Sequence, residues 1–271
     1  MNAKYFALVV LYNKTCADSA ACRALANLSE VSVLLYDNST RDYGNRAWCE
    51  GKGWEYLGGE GNRGLSVAYN ACIDRLSARG EEGYVCLLDD DTRLTGEYFQ
   101  ALDRAIEAHP GAGILVPRVI SQGRLLSPCR KVGAFASAFA DEAALLAAPK
   151  ETWSAINSGM AISLRLFDGY RYDEHIFLDG VDHQFVEDMR ARGEALHLID
   201  YTCEQAFSGH ERPPVESALT RFSIFARDEA YILRGHAGDY WRVVGRRALK
   251  LTAQYRTGAF LKVLRMANNE R

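Results

Sequence analysis

Short apolar runs alternate with stretches of helical spacing along the first 120 residues. Residues 4–12 are near-continuously apolar and predict a strand ending at Tyr12-Asn13. Over 17–28 the apolar positions Ala21, Leu25 and Leu28 recur at helical spacing, and 31–36 is a second apolar run ending in Asp37-Asn38-Ser39. Residues 54–57 predict a short third strand. A glycine-rich turn, 58–64, then opens a helix over 65–76 with Asn70 on its first turns. A fourth run, Val85 to Leu88, leads straight into Asp89, Asp90 and Asp91. Beyond it the stripe Phe99, Leu102 and Ile106 predicts a helix over 96–108, with Thr95 as N-cap candidate, before a strand at 114–119. Runs this short and apolar fit strands buried on both faces. Strands joined through helices are parallel with right-handed crossovers, so their carboxyl ends open onto one edge. The pattern predicts an α/β fold with a central, mostly parallel sheet, and a Rossmann-like nucleotide-binding half over 1–120.

The alternation breaks at 121–155, where polar residues surround a short helical patch at 143–148. Asn157-Ser158-Gly159 then leads into a strand at 160–164. The segment 167–182 sets Asp168, Asp173, Asp179 and Asp182 among aromatic residues, and 184–192 is helical in composition up to Gly193. A last short strand is expected at 196–199, and His210 follows it. These pieces make a second half over 121–235, followed by a tail over 236–271. The tail carries Arg242, Arg246, Arg247, Lys250, Arg256, Lys262, Arg265 and Arg271 against the single acid Glu270 beyond residue 240, with apolar residues from Trp241 to Leu264 between them. That is the pattern of a basic amphipathic helix. It admits two readings: a helix lying on an anionic membrane surface, or one packed on its own domain with a solvated basic face.

With 271 residues the chain builds one large domain or two small ones. Its 48% hydrophobic and 25% charged residues are those of an ordinary globular protein. A formal net charge of −3 argues against nucleic acid as a partner. No apolar run approaches the ~18 residues of a spanning helix, and no signal peptide is recognisable, so a cytoplasmic location, peripheral to the membrane if the tail binds it, is expected. The 7 cysteines are dispersed, the usage of reduced thiols.

Chemistry concentrates at the strand ends. Three adjacent carboxylates repel one another and raise their own pKa values unless a cation or hydrogen-bond donors hold them ionised. Ligands of open α/β sheets bind outside the carboxyl ends of the strands, and Mg²⁺ or Mn²⁺ favours carboxylate oxygen there, together with substrate phosphates. Asp37 offers an acceptor for the N–H groups of a base, or ordinary turn chemistry. The glycine-rich turn can present N–H groups to phosphate, although it fits neither the P-loop nor the dinucleotide fingerprint.

In order and spacing these pieces resemble the family-2 glycosyltransferases, and among them the rhamnosyltransferase-like branch, from about residue 7 to residue 234. The resemblance is carried by Tyr12-Asn13, Asp37-Asn38-Ser39, Asn62-Arg63-Gly64 with Asn70, Leu88 to Thr92, Asn157-Ser158-Gly159, the segment Asp173 to Asp182, and a helix over 221–234. It implies the GT-A fold, with a nucleotide-sugar-binding half merged with an acceptor-binding half, and inverting transfer from a nucleotide-activated sugar to a hydroxyl. By position, Tyr12, Asp37, Asn62, Gly64, Asn70, Asp89 and Asp90 would serve the donor. Asp91, with His210 as a late ligand, would hold Mg²⁺ or Mn²⁺. Asn157, Ser158, Gly159 and Asp179 would line the acceptor side, and Asp182 would be the general base. Asp182 is equally placed to cap the helix that starts near His183. Two positions depart from the family pattern: Gln184 stands where Glu is usual, and Asp188 where Arg is.

The implied activity moves a sugar, expected to be rhamnose from dTDP-rhamnose, to a glycan or lipid-linked glycan in cell-surface polysaccharide synthesis. The alternatives are a UDP-sugar hexosyl- or galactosyltransferase of the same fold, a nucleotidyltransferase, or a non-catalytic nucleotide-sugar-binding protein. A nucleotidyltransferase should carry a glycine-rich loop after the first strand, where this chain has Tyr12-Asn13-Lys14-Thr15.

Overall fold

The computed structural model describes residues 4–205 and 213–269. The first half follows the apolar pattern: β1 (Tyr5–Leu11), α1 (Ala20–Leu25), β2 (Ser32–Asp37), α2 (Asn45–Lys52), β3 (Glu55–Gly58), α3 (Leu65–Ser77), β4 (Tyr84–Asp89), β5 (Thr92–Arg93), α4 (Gly96–Ala108) and β6 (Ile114–Ser121). Helix α2 was not expected. Only Asn45 and Cys49 of it are buried, so it presents no apolar stripe to read.

Residues 121–155 are more ordered than their mixed composition suggests. They form β7 (Arg124–Ser127), β8 (Cys129–Val132), β9 (Phe135–Ala138), α5 (Glu142–Ala147) and β10 (Trp153–Ser154). Strands β10, β8 and β9 make a small antiparallel sheet of their own. Then come β11 (Met160–Ser163), α6 (Val181–Ala191), β12 (Leu196–Gln205), α7 (Val215–Ile232), α8 (Ala237–Tyr240), α9 (Arg246–Tyr255) and α10 (Ala259–Asn269). The last strand is six residues longer than the expected 196–199, since pairing with β6 resumes past an irregularity between Leu198 and Thr202.

The main sheet runs β3-β2-β1-β4-β11-β6-β12-β5, with β7 beside β6. Strands β1, β2, β3 and β4 are parallel, as are β6 and β12, while β11 lies antiparallel between β4 and β6. This reversal sets the site. The carboxyl ends of β1, β2 and β4 open on one edge, and the amino end of β11 arrives on that same edge. Alternate strand residues face opposite sides. Leu8, Leu34, Val85 and Met160 pack against α3 and α6, while Val9, Leu35, Leu88 and Ala161 pack against α1, α2 and α4. Both faces are covered, which explains why these strands read as unbroken apolar runs.

The tail is not one continuous helix. A wide turn at Trp241–Gly245 precedes α9, and Arg256, in the left-handed region at φ 54°, separates α9 from α10. Tyr240, Val244, Ala248, Phe260 and Leu264 are buried in one cluster with Ala218, Phe222 and Phe225 of α7. The packed reading therefore holds for the inward face. Trp241 (44% exposed) and Leu249 (62%) remain outside with Arg242, Arg246 and Lys250.

Phe260 is fully buried against Phe222 and Tyr255. Phe260→Ala should cost about 3–5 kcal/mol, the range for truncating a core aromatic, read as a lowered urea midpoint by circular dichroism. An unchanged midpoint would mean that the tail contributes no core.

Candidate active site

The edge is built from the chain's own hydrogen bonds. Asp37, at the end of β2, is 2% exposed and accepts from Ser39 N (3.0 Å), Asn45 Nδ2 (2.9 Å) and Tyr56 Oη (3.2 Å). Asn45 and Tyr56 went unnoticed in the sequence, and they hold this acid in a fixed orientation. Tyr12, half exposed, directly follows β1, and the next residue, Asn13, donates its backbone N–H to Ser39 Oγ at 2.9 Å. Asn38 reaches across to the glycine-rich turn, accepting from Arg63 N (2.7 Å) and donating to Gly64 O (3.1 Å). Asn62 accepts from Gly64 N at 3.1 Å. Gly64 itself sits at φ 89°, and a Cβ there would lie 2.8 Å from Phe177 O, so only glycine lets the two loops touch.

Asn70, expected to serve the donor, is engaged elsewhere. Its amide donates to Tyr172 O (2.9 Å) and Glu174 Oε1 (3.0 Å) and accepts from Tyr172 N (2.9 Å), which pins α3 to the segment ahead of α6.

The three acids after β4 take three different environments. Asp90 pairs with Lys14 at 2.7 Å, and its carbonyl accepts from Ser19 Oγ (2.8 Å) and Ala20 N (2.9 Å) at the start of α1. Asp89 accepts from Ser158 Oγ, and Gln205 Nε2 lies 3.3 Å from Asp89 Oδ2 and 3.1 Å from Asp91 Oδ1. Burial pushes the Asp89 carboxyl up to about 6, against the hydrogen bond from Ser158 and with the charges of Asp91, Asp182 and Asp90 adding to it. Asp91 is also raised, chiefly by burial. Two carboxylates flanking one amide, both reluctant to ionise, form a donor set that a divalent cation would relieve. Among the described residues no three His, Cys, Asp or Glu side chains converge as a metal cluster. An ion at Asp89 and Asp91 would complete its shell from a diphosphate, as Mg²⁺ commonly does. The expected ligand His210 lies outside the described residues.

Ser158 reaches Asp89 because β11 is reversed. Gly159 N donates to Leu87 O at 2.8 Å, and Gly159, at φ 79°, fits under Pro117 where a Cβ would come within 2.8 Å of Cγ. Asn157 lines the adjoining cleft, its Oδ1 buried without a partner.

That cleft, about 500 Å³, also contains Asp89, Asp179, Asp182, Gln184 and Glu229. Gly180 occupies the cap position of α6 at φ 83°, so Asp182 belongs to the first turn and is not the N-cap. Among the described residues its carboxylate accepts one hydrogen bond, from the neighbouring His183 N–H at 2.7 Å. Asp179, by contrast, is bound by Arg221 in a two-pronged ion pair. Gln184 donates to Asp188 Oδ1 at 2.8 Å and Tyr170 to Asp188 Oδ2 at 2.9 Å, so the two departures from the family pattern complete each other.

Beneath the loop lies Asp228 of α7, fully buried, accepting from the backbone N–H groups of Phe177 (3.1 Å), Leu178 (2.8 Å) and Asp179 (2.9 Å). Nothing local in the sequence marks it as different from any other helix aspartate.

This arrangement sets a row of acids at the carboxyl edge of the parallel strands and another carboxylate across a cleft, on a mixed α/β fold. The comparisons agree with it. The family model described as Glycosyl transferase family 2 matches residues 11–141. No curated protein matches. Among solved structures, the mannosyltransferase PcManGT from Pyrobaculum calidifontis, in complex with GDP-Man and Mn²⁺, is similar at a TM-score of 0.58 and 15% identity, over 98% of this chain and 75% of that one. TarS 1–349 from S. aureus in complex with UDP is similar at a TM-score of 0.51 and 17% identity, over 83% of this chain. The chain spans 65% of the length of that TarS chain. The fold is the GT-A glycosyltransferase fold.

Asp228→Asn keeps the shape but removes one acceptor oxygen from three N–H donors. It should cost about 1–3 kcal/mol, the range for an unpaired buried group. Amide exchange at 177–179 should accelerate before exchange in β1 or β4 does. Unchanged exchange at these amides would show that α7 does not hold the loop.

Proposed function

We propose that the protein is an inverting, metal-dependent glycosyltransferase, moving a sugar from a nucleotide-linked donor to a hydroxyl of a glycan or lipid-linked glycan. The observation that carries this reading is that Asp89 and the lightly bonded carboxylate of Asp182 line one cleft, with Asp91 joined to Asp89 through Gln205. Rhamnose from dTDP-rhamnose is the sugar the sequence resemblance favours, with a UDP-linked hexose as the alternative.

The donor's base would lie over the edge held by Asp37, and its diphosphate near the glycine-rich turn and the β4 acids. Mg²⁺ or Mn²⁺ held by Asp91 and Asp89 would neutralise the charge developing on the leaving diphosphate. Asp182 takes the proton of the acceptor hydroxyl as that oxygen attacks the anomeric carbon. The bond from that carbon to the diphosphate breaks in the same displacement. One base suffices for inversion, whereas a double displacement would need a carboxylate nucleophile. Gln205 and Ser158 orient the acids at the donor end, and Asp228 holds the loop that carries Asp182 into the cleft.

The exposed face of the tail extends the reading. Trp241 and Leu249 beside Arg242, Arg246 and Lys250 combine apolar anchors with positive charge, which suits an anionic bilayer carrying a lipid-linked acceptor.

The direct test incubates the protein with dTDP-, UDP- and GDP-sugars and Mn²⁺ or Mg²⁺ and measures free nucleoside diphosphate; no release from any donor would sink the activity. Asp182→Asn should lower turnover about 10²–10⁴-fold with nucleotide affinity retained. Asp91→Asn should instead abolish the metal dependence of nucleotide binding. Nucleotide affinity indifferent to EDTA in the unaltered protein would remove the metal from the reading. For the tail, the full chain should sediment with anionic vesicles at low salt, and Leu249→Glu with Arg246→Glu should release it. A chain that stays in the supernatant would leave the tail a packing element alone.

A further inference from the structure

The cleft holds a carboxylate that the reaction does not use. Glu229 lies on α7, one residue after Asp228, and lines the same cleft as Asp182. The cleft's cations are already engaged. Lys131 pairs with Glu187 and donates to Gly133 O at 3.1 Å, and Arg221 pairs with Asp179. Those pairs also take up Glu187 and Asp179. Among the described residues Glu229 makes no side-chain hydrogen bond and no ion pair. Burial pushes its carboxyl up to about 7, helped by Asp179 and Asp228 and opposed by Lys131 and Arg247. Near neutral pH the group therefore both accepts and donates hydrogen bonds.

A part-buried carboxyl without a partner is costly unless a ligand supplies one. The walls beside it are apolar, with Leu178, Phe225, Ile232 and Val243 in the lining. Apolar walls with a few convergent polar groups are the make-up of a small-ligand site. The charge balance selects the ligand further. Among the described residues the lining carboxylates left without an ion pair are Asp89, Asp182 and Glu229. Both lining cations are paired, and Arg247, stacked on Phe225, stands outside the lining. A phosphate or carboxylate at this end would therefore face like charge with no free cation in the lining. A sugar ring carries no charge, and its hydroxyls give and take hydrogen bonds.

We propose that Glu229 is the recognition residue of the acceptor subsite, bonding one hydroxyl of an uncharged saccharide while another hydroxyl of it lies at Asp182. The proposal rests on the glycosyl-transfer reading of the cleft and names its acceptor chemistry. It excludes an acceptor whose charged group sits in this subsite, and it leaves any lipid phosphate outside the cleft.

The experiment first measures binding of UDP, GDP and dTDP with Mn²⁺ to the unaltered protein. If none binds, the reading of the site fails and this inference falls with it. With the binding nucleotide present, saturation-transfer NMR is run against methyl hexopyranosides, methyl 6-deoxyhexopyranosides and hexose 1-phosphates. At least one methyl glycoside should bind, and more tightly than the 1-phosphate of the same sugar. Glu229→Ala should weaken it about 10- to 100-fold, the size of a hydrogen bond to a charged group. Glu229→Gln, which keeps the shape and part of the hydrogen bonding, should weaken it less. Nucleotide affinity in each variant reports folding, and Glu229→Gln alone decides the matter if the alanine variant does not fold. Equal glycoside affinity in variant and unaltered protein, preference for the 1-phosphates, or no glycoside binding to the nucleotide-loaded protein would each overturn the proposal.

Discussion

A single buried carboxylate ties the two halves of this molecule together. Asp228 is shielded completely from water, and burial raises its carboxyl pKa. The row of N–H groups from Phe177, Leu178 and Asp179, with Arg227 nearby, opposes that shift. Because an unpaired buried charge costs several kcal/mol, those amides and that carboxylate constrain one another. The consequence spreads along the chain. Phe177 O in turn accepts from Leu65 N at 2.6 Å, which joins the same loop to the start of α3 and the glycine-rich turn. One loop therefore fixes the glycine-rich turn on one flank and presents Asp179, Gly180 and Asp182 on the other.

The second constraint is electrostatic. The β4 acids are brought together at the end of a buried strand, and the fold keeps them there by giving each a different partner. Lys14 neutralises Asp90, Ser158 and Gln205 bond Asp89, and Gln205 bridges on to Asp91. The reversed strand β11 supplies Ser158 and the long strand β12 supplies Gln205, so sheet topology sets the charge environment. Had β11 run parallel to β4, its amino end would lie at the opposite edge and Ser158 could not reach Asp89.

Much of this frame was legible in the chain. The runs at β1, β2, β4 and β6 are unbroken because both faces are covered, and the acids at 89–91 stand at the carboxyl end of β4, where the apolar run stops. The stripe of α4 was legible for the same reason. The rest depends on partners distant in sequence. Asn45, Tyr56, Gln205 and Asp228 are ordinary residues until folding sets them beside Asp37, Asp89 and the 177–179 amides. Gln205 had one local signal: Tyr201 and Cys203 continue the alternation past Ile199, and extending the strand by that alternation reaches it. Asn70 misled in the opposite sense, since its place on the first turns of a helix after glycines suits phosphate binding equally well. Only Tyr172 and Glu174, a hundred residues on, show that its amide is already engaged.

The tail belongs to the same argument. Val243 lines the cleft, while Trp241 and Arg242, in the same turn, face outward. Arg247 stacks its guanidinium 4.1 Å from the Phe225 ring centroid, on the cleft-lining helix α7, and its charge bears on Glu229. The segment that offers basic and apolar groups to the outside is thus also a wall of the cleft. Its inward side is held by the core cluster around Phe222 and Phe260, so any shift of the outer face must be carried by the turn at Trp241–Gly245. A wide turn of this kind, with i→i+5 bonding, is a local departure from α geometry found mostly at functional sites. Its position between a buried core and a cleft wall sets the outward-facing Trp241 and Arg242 and the cleft-lining Val243 on one turn.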